Sequence, residues 1–308
     1  MSTEVNLRSS DESAWPALPQ AEWSETCATL QLWMQIVGKV RLKLMPQINH
    51  TWNVTLYPTV RGVTTSPMPH GNQMLQIDFD FLEHVLRLQT SSGGNRVVAL
   101  KPMTVASFYE QVMQALDELG TPVHIWHMPV EIANPIPFEQ DETHQAYDPE
   151  YAQRFWRVLL QTMRVFTVFR ARFTGKVSLV HLFWGAMDLA CTRFSGRTAP
   201  EHPSMAGLPD RVTRDAYSHE VSSCGFWPGG PGAEAFFYSY AYPEPKGYAQ
   251  YAIGPAQAGF NAQFGEFLLP YEAVRTAADP DAMLLEFLQT TYEAAANCAG
   301  WDRAALEA

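Results

Sequence analysis

Internal repetition limits a chain more than any single motif, because each copy must bury its apolar face with the same succession of elements. Two stretches of this sequence follow such a succession. In the first, Trp23, Cys27, Leu30, Met34 and Val37 step by four and three, one face of a helix. Gly38 suits a left-handed helix cap, so the helix is expected to end there and a strand to open at Lys39–Val40. The second begins with Asp148-Pro149-Glu150, an N-cap followed by proline in the first turn. It continues through Tyr151, Phe155, Val158, Thr162, Val165 and Phe169 and closes in Gly175-Lys176-Val177. After each Gly-Lys-Val comes a His/Trp pair, His50 with Trp52 and His181 with Trp184. Leu56 to Pro67 and Leu189 to Pro200 then keep the same spacing, placing Thr65 opposite Thr198.

Alternating strand patterns follow, Met74 to Thr90 in the first unit and Ala235 to Tyr242 in the second, with a hairpin turn expected at Ser92-Gly93-Gly94-Asn95. Leu100-Lys101-Pro102 and Leu268-Leu269-Pro270 lead into closing helices, one from Thr104 to Gly120 and one from an Asp279 N-cap to Gly300. Strands in runs, not alternating with helices, predict an α+β fold built of duplicated helix–antiparallel strands–helix units about a pseudo-two-fold. The units would pair strand edges into one sheet or pack face to face. The expected organisation is an N-terminal extension over 1–22, a first unit over 23–128, a proline-rich acidic linker over 129–148, and a second unit over 149–308. An insertion at 201–234 has no counterpart in the first unit.

Charge narrows the function classes. With 21 basic and 32 acidic residues the chain carries a net charge of -11, which repels a phosphate backbone and argues against nucleic acid and anionic membranes as partners. No apolar run reaches the roughly 18 residues of a membrane span, and no signal or transit peptide is evident, so a cytoplasmic address is expected. Cys27, Cys191, Cys224 and Cys298 form no C-x-x-C pair and read as buried free thiols. No phosphate-binding loop, dinucleotide fingerprint or hydrolase elbow occurs, and the sequence names no cofactor. His219-Glu220 opens like a zincin helix but has Ser223 where the second histidine ligand belongs. Ser195, Ser218 and Cys224 lie in no nucleophile signature. The alternation of Tyr238, Tyr240 and Tyr242 fits either a core face or a ligand groove.

Several longer motifs run through the chain: Gly38-Lys39-Val40-Arg41-Leu42, the stretch from Arg61 to Pro67, Met128 to Ile132, Phe183 to Arg197, Tyr217 to Ser223, and Tyr238 to Pro245. On these the chain resembles the bacterial domain-of-unknown-function family 5996 over nearly its whole length. That resemblance implies one complete protein and no particular activity.

The leading expectation is a small polar or anionic molecule bound, with or without catalysis, in a cleft between the units under the 201–234 insertion. Catalytic candidates are His181, His219, Glu220 and Asp188: the histidines to exchange protons or bind metal, the carboxylates to orient them. Ligand-binding candidates are His50, Arg61, Trp184, Arg193, Ser195 and Trp227, with the arginines holding anionic groups and the tryptophans forming walls. A metal site would draw on His50, His181, His202 and His219. The alternatives are a non-catalytic structural or interaction protein and a metal-assisted hydrolase.

Overall fold

In the computed structural model, which describes residues 13–204 and 209–308, the first helix runs past its expected end. Residues 1–12 of the expected extension and 205–208 of the expected insertion lie outside the described residues. α1 (Gln20–Leu44) continues through Gly38, and no strand opens at Lys39–Val40. Gly38 serves contact instead of capping. A Cβ there would lie 2.4 Å from the indole of Trp184, so only glycine lets that ring rest on the helix. From Leu32 to Arg41 every residue of α1 is buried, the pattern of a helix enclosed by the molecule.

The other long helices begin where side-chain caps dictate. Thr104 accepts the Ser107 N–H at the start of α2 (Val105–Glu118), and Asp148 accepts the Glu150 and Tyr151 amides at the start of α3 (Pro149–Ala171). After α4 (Asp210–Ala216) and α5 (Tyr271–Arg275), Asp279 caps α6 (Pro280–Cys298) through the Ala282 N–H, with Pro280 in its first turn.

Two antiparallel sheets carry the strands. The first holds β1 (Tyr57–Thr59), β2 (Gly62–Thr64), β3 (Met68–His70), β4 (Gln73–Asp80), β5 (Val85–Thr90) and β6 (Asn95–Ala99), in the order β1-β2-β4-β5-β6 with β3 also on β4. The second holds β7 (His181–Phe183), β8 (Asp188–Thr198), β9 (His219–Trp227), β10 (Phe236–Tyr242), β11 (Gly259–Asn261) and β12 (Glu266–Pro270), ordered β11-β12-β10-β9-β8-β7. The sheets meet at a seam of one antiparallel bridge, Leu56 to Leu182, whose two N–H···O bonds measure 2.9 and 2.8 Å.

The expected insertion 201–234 holds a strand: β9, between β8 and β10 within the second sheet, lies inside it. The matched stretches 56–67 and 189–200 also fold differently: the first turns back at Val60-Arg61 between β1 and β2, whereas the second lies mostly in β8. Among the described residues, no helix is long and apolar enough to cross a membrane.

Candidate functional site

Side chains on a strand alternate between faces, so parity along β8, β9 and β10 sorts the candidates. One parity turns toward α3 and α6. Arg193 belongs to it: its guanidinium lies 3.5 Å from the centroid of Phe169 and 4.3 Å from that of Tyr292, and Nη2 donates to the Phe169 carbonyl. Burial lowers its pKa to about 10. Glu220 shares this parity and accepts from Ser195 Oγ (2.9 Å) and from Arg197 (2.6 Å) beside a cavity of about 190 Å³ reaching Tyr242 and Trp301. His219, its sequence neighbour, points the other way, so the His-Glu pair is divided between two faces.

The opposite parity gathers the densest polar chemistry. Tyr238 on β10 reaches across β9 to donate its hydroxyl to Asp188 Oδ2 on β8. Gly225 makes that reach possible, since a Cβ there would lie 2.3 Å from the tyrosine ring. Tyr240 follows on the same face, its ring centroid 6.2 Å from that of Tyr238 and its hydroxyl 3.2 Å from that of Tyr217. Thr192 and Ser223 share a hydrogen bond of 2.8 Å, and His202 packs against Tyr217 and Tyr242 at 4.3 and 4.6 Å.

Two further carboxyls join Asp188. Glu266 comes from β12, and Glu131 comes from the connector between the halves. Glu131 has a left-handed φ of 56°, and its carboxylate lies where a Cβ on Gly185 would be, 1.9 Å from Oε1. Gln35 of α1 holds the preceding residue, accepting from Val130 N–H at 2.9 Å and donating to its carbonyl at 2.8 Å. Burial raises Asp188 to about 6 against the pull of the Tyr238 hydroxyl. Burial and then the Asp188 charge raise both Glu131 and Glu266 to about 7. Asp188, Glu266, Tyr238 and Tyr240 are nonetheless only half-buried, and Glu131 is exposed. Groups that keep solvent access while losing solvation line a recess, and groups titrating near neutrality are suited to proton exchange.

A second cluster occupies the β8–β9 edge of this face. His50 and Thr51 both adopt φ of 59°, a strained pair for non-glycine residues. The His50 Nδ1–H donates to the Asp215 carbonyl at 3.0 Å, leaving Nε2 to accept from the Lys176 ammonium at 2.6 Å. Asp215 holds the strained turn through the Thr51 N–H at 2.8 Å. Burial and then Lys176 lower the pKa of His50, while His219 lies edge-on to it at 5.7 Å.

The remaining candidates lie apart. Arg61 sits in the exposed turn after β1, paired with Asp80 and Glu83 at 2.7 Å each. Trp184 is buried against Gly38 and donates to the Val54 carbonyl at 2.8 Å. Trp227 is the exception: on β9 it shares the parity of Gly225 and so the face of Tyr238, its ring tilted against that of Phe236 at 5.0 Å. His181 is buried on β7 beside Trp52 and Tyr57, away from His202. Among the described residues no group of three or more His, Cys, Asp or Glu is placed to hold a metal ion, so the four candidate histidines form no ligand set. Sequence reasoning missed Glu131, Glu266, Lys176 and Asp215 as site residues. Tyrosine at alternate positions of β10 was the available signal for the recess.

Comparison with curated proteins and with solved structures gives no match. The family model for the family of unknown function DUF5996 matches residues 15–308, nearly the whole chain, and the protein belongs to that family.

Proposed function

We propose that the recess on the second sheet binds a small polar molecule and that its carboxyls exchange protons with it. The observation that carries this reading is the convergence of Asp188, Glu131 and Glu266, from three separate segments, on a face shared with Tyr217, Tyr238 and Tyr240. Tyrosine ring faces suit the flat or apolar side of a ligand, and carboxyls that titrate near neutrality accept or donate hydrogen bonds to its hydroxyls or amines. Arg61 and Arg193 do not reach this face, so the ligand class supported here is neutral or cationic.

Saturation-transfer NMR against separate sets of polyols, amines and small acids tests the reading. Polyols or amines should give signals that Asp188→Asn and Tyr240→Phe both weaken. Signals confined to acids, or equal in both variants, would refute it.

The same reading includes a diverged duplication about a pseudo-two-fold. It is supported by the antiparallel Leu56–Leu182 bridge, with antiparallel strands running outward from it on both sides and a long helix before each sheet. It also includes a reducing, cytoplasmic setting, supported by Cys191 and Cys224, which face each other on β8 and β9 as free thiols.

A further inference from the structure

Arg41 and His181 meet at the seam between the sheets, and each has a polar atom without a partner. Arg41 lies in the last turn of α1, is 4% exposed, and donates through Nη1 to the Thr65 carbonyl, while its Nε has no hydrogen-bond partner. His181 on β7 is 2% exposed, and its Nε2 has no partner. Both flank the Tyr57 ring: the guanidinium carbon is 5.6 Å and the imidazole centroid 6.3 Å from its centre. They are close enough for the Arg41 charge, after burial, to drive the His181 pKa down to about 3.

A buried guanidinium without a counter-charge is strongly unfavourable, and no salt bridge among the described residues involves Arg41. The helix dipole at the end of α1 offsets part of that charge. Arg193 also has unpartnered nitrogens, Nε and Nη1, but three rings box its charge, Phe169, Tyr292 and Phe173 at 3.5, 4.3 and 5.0 Å. Arg41 has one ring, that of Tyr57, whose side chain also hydrogen-bonds the guanidinium, and its Nε–H is left without a partner.

We infer that Arg41 and His181 hold a small monovalent anion, a halide or the carboxylate of a small acid, at the seam of the two sheets. Arg41 Nε–H and His181 Nε2–H would be its donors, with the imidazole neutral in the tautomer that places its proton on Nε2. Two donors and one net positive charge suit a single negative charge. Thr55, Leu56 and Thr65, which neighbour Tyr57 and Arg41 in sequence or by hydrogen bond, are all fully buried, while Tyr57 is half-buried. This site is separate from the carboxyl recess and does not depend on the reading of that recess.

Thermal unfolding of the full chain at constant ionic strength, with sodium gluconate replaced stepwise by chloride or by formate, tests the inference. At least one series should raise the melting temperature saturably. A chloride response alone identifies a halide, and a formate response identifies a carboxylate. Arg41→Met should flatten the response. His181→Phe should weaken the apparent affinity roughly tenfold, the size expected for one hydrogen bond to a charge. If Arg41→Met does not fold, His181→Phe decides. Where chloride raises the melting temperature, crystals soaked in bromide should show anomalous density between Arg41 Nε and His181 Nε2. Flat responses in both series, an unchanged affinity in His181→Phe, or a chloride response without bromide density at that position would overturn the inference.

Discussion

Alanine at Gly225 would put a methyl group where the Tyr238 ring lies, so the ring or strand β9 must shift. Overpacking of this kind costs about 1–3 kcal/mol. Gly225→Ala should therefore lower the calorimetric melting temperature, and an unchanged value would show that Tyr238 does not lie across β9. The recess also sets a pH dependence. Asp188, Glu131 and Glu266 rise from 3.8, 4.5 and 4.5 to about 6, 7 and 7. A raised acid binds its proton more tightly in the folded state, so its stabilisation is complete below about pH 4 and is lost as pH passes 6 to 7. The triple variant Asp188→Asn, Glu131→Gln, Glu266→Gln should therefore gain stability relative to wild type between pH 4 and pH 8. A difference that stays constant across that range would contradict the shifts. The sequence already pointed to Asp188 and to the tyrosine alternation, but not to Glu131 or Glu266, which arrive through tertiary folding. Arg193 carried charge next to suitable chemistry, yet strand parity sends it to α3 and α6.

At the scale of elements, Gly38 offers a sign test. A mid-helix glycine replaced by alanine ordinarily stabilises by about 1 kcal/mol. Against the Trp184 indole the added methyl has no room, so Gly38→Ala should destabilise. In a Trp184→Ala background the same change should become stabilising. Chemical denaturation of the four proteins of this cycle measures the coupling, and the same effect in both backgrounds would make Gly38 a conformational glycine after all. The caps at Thr104, Asp148 and Asp279 were legible because capping is local, a side-chain oxygen meeting an amide two or three residues on. The run of α1 past Gly38 was not, because its cause lies on the loop between β7 and β8. Strand β9 was hidden for a related reason: its Ser222-Ser223-Cys224-Gly225 run reads as a loop, and Gly225 is required by a tyrosine on the neighbouring strand.

Across the whole molecule, the Leu56–Leu182 bridge joins two sheets that otherwise have separate strand orders. If the halves open together, the Leu56 and Leu182 amides should resist hydrogen exchange as long as the amides in the middle of β4 and β9. Early exchange at the bridge, with both sheet interiors still protected, would mean that the halves part before they unfold. The enclosed position of α1 has a consequence for synthesis. Its walls come from far along the chain: Gly185 accepts from Gln31 at 2.6 Å, Glu234 accepts from the Gln20 N–H at 2.9 Å, and the Asp148 N–H donates to Thr26 at 3.0 Å. Just ahead of it, Trp15 donates to Asp281 at 3.3 Å. On the ribosome, α1 therefore emerges with its apolar sides bare and waits for partners made as late as Glu234. Such a nascent chain is a natural client for the chaperones that shield exposed apolar surface until translation ends.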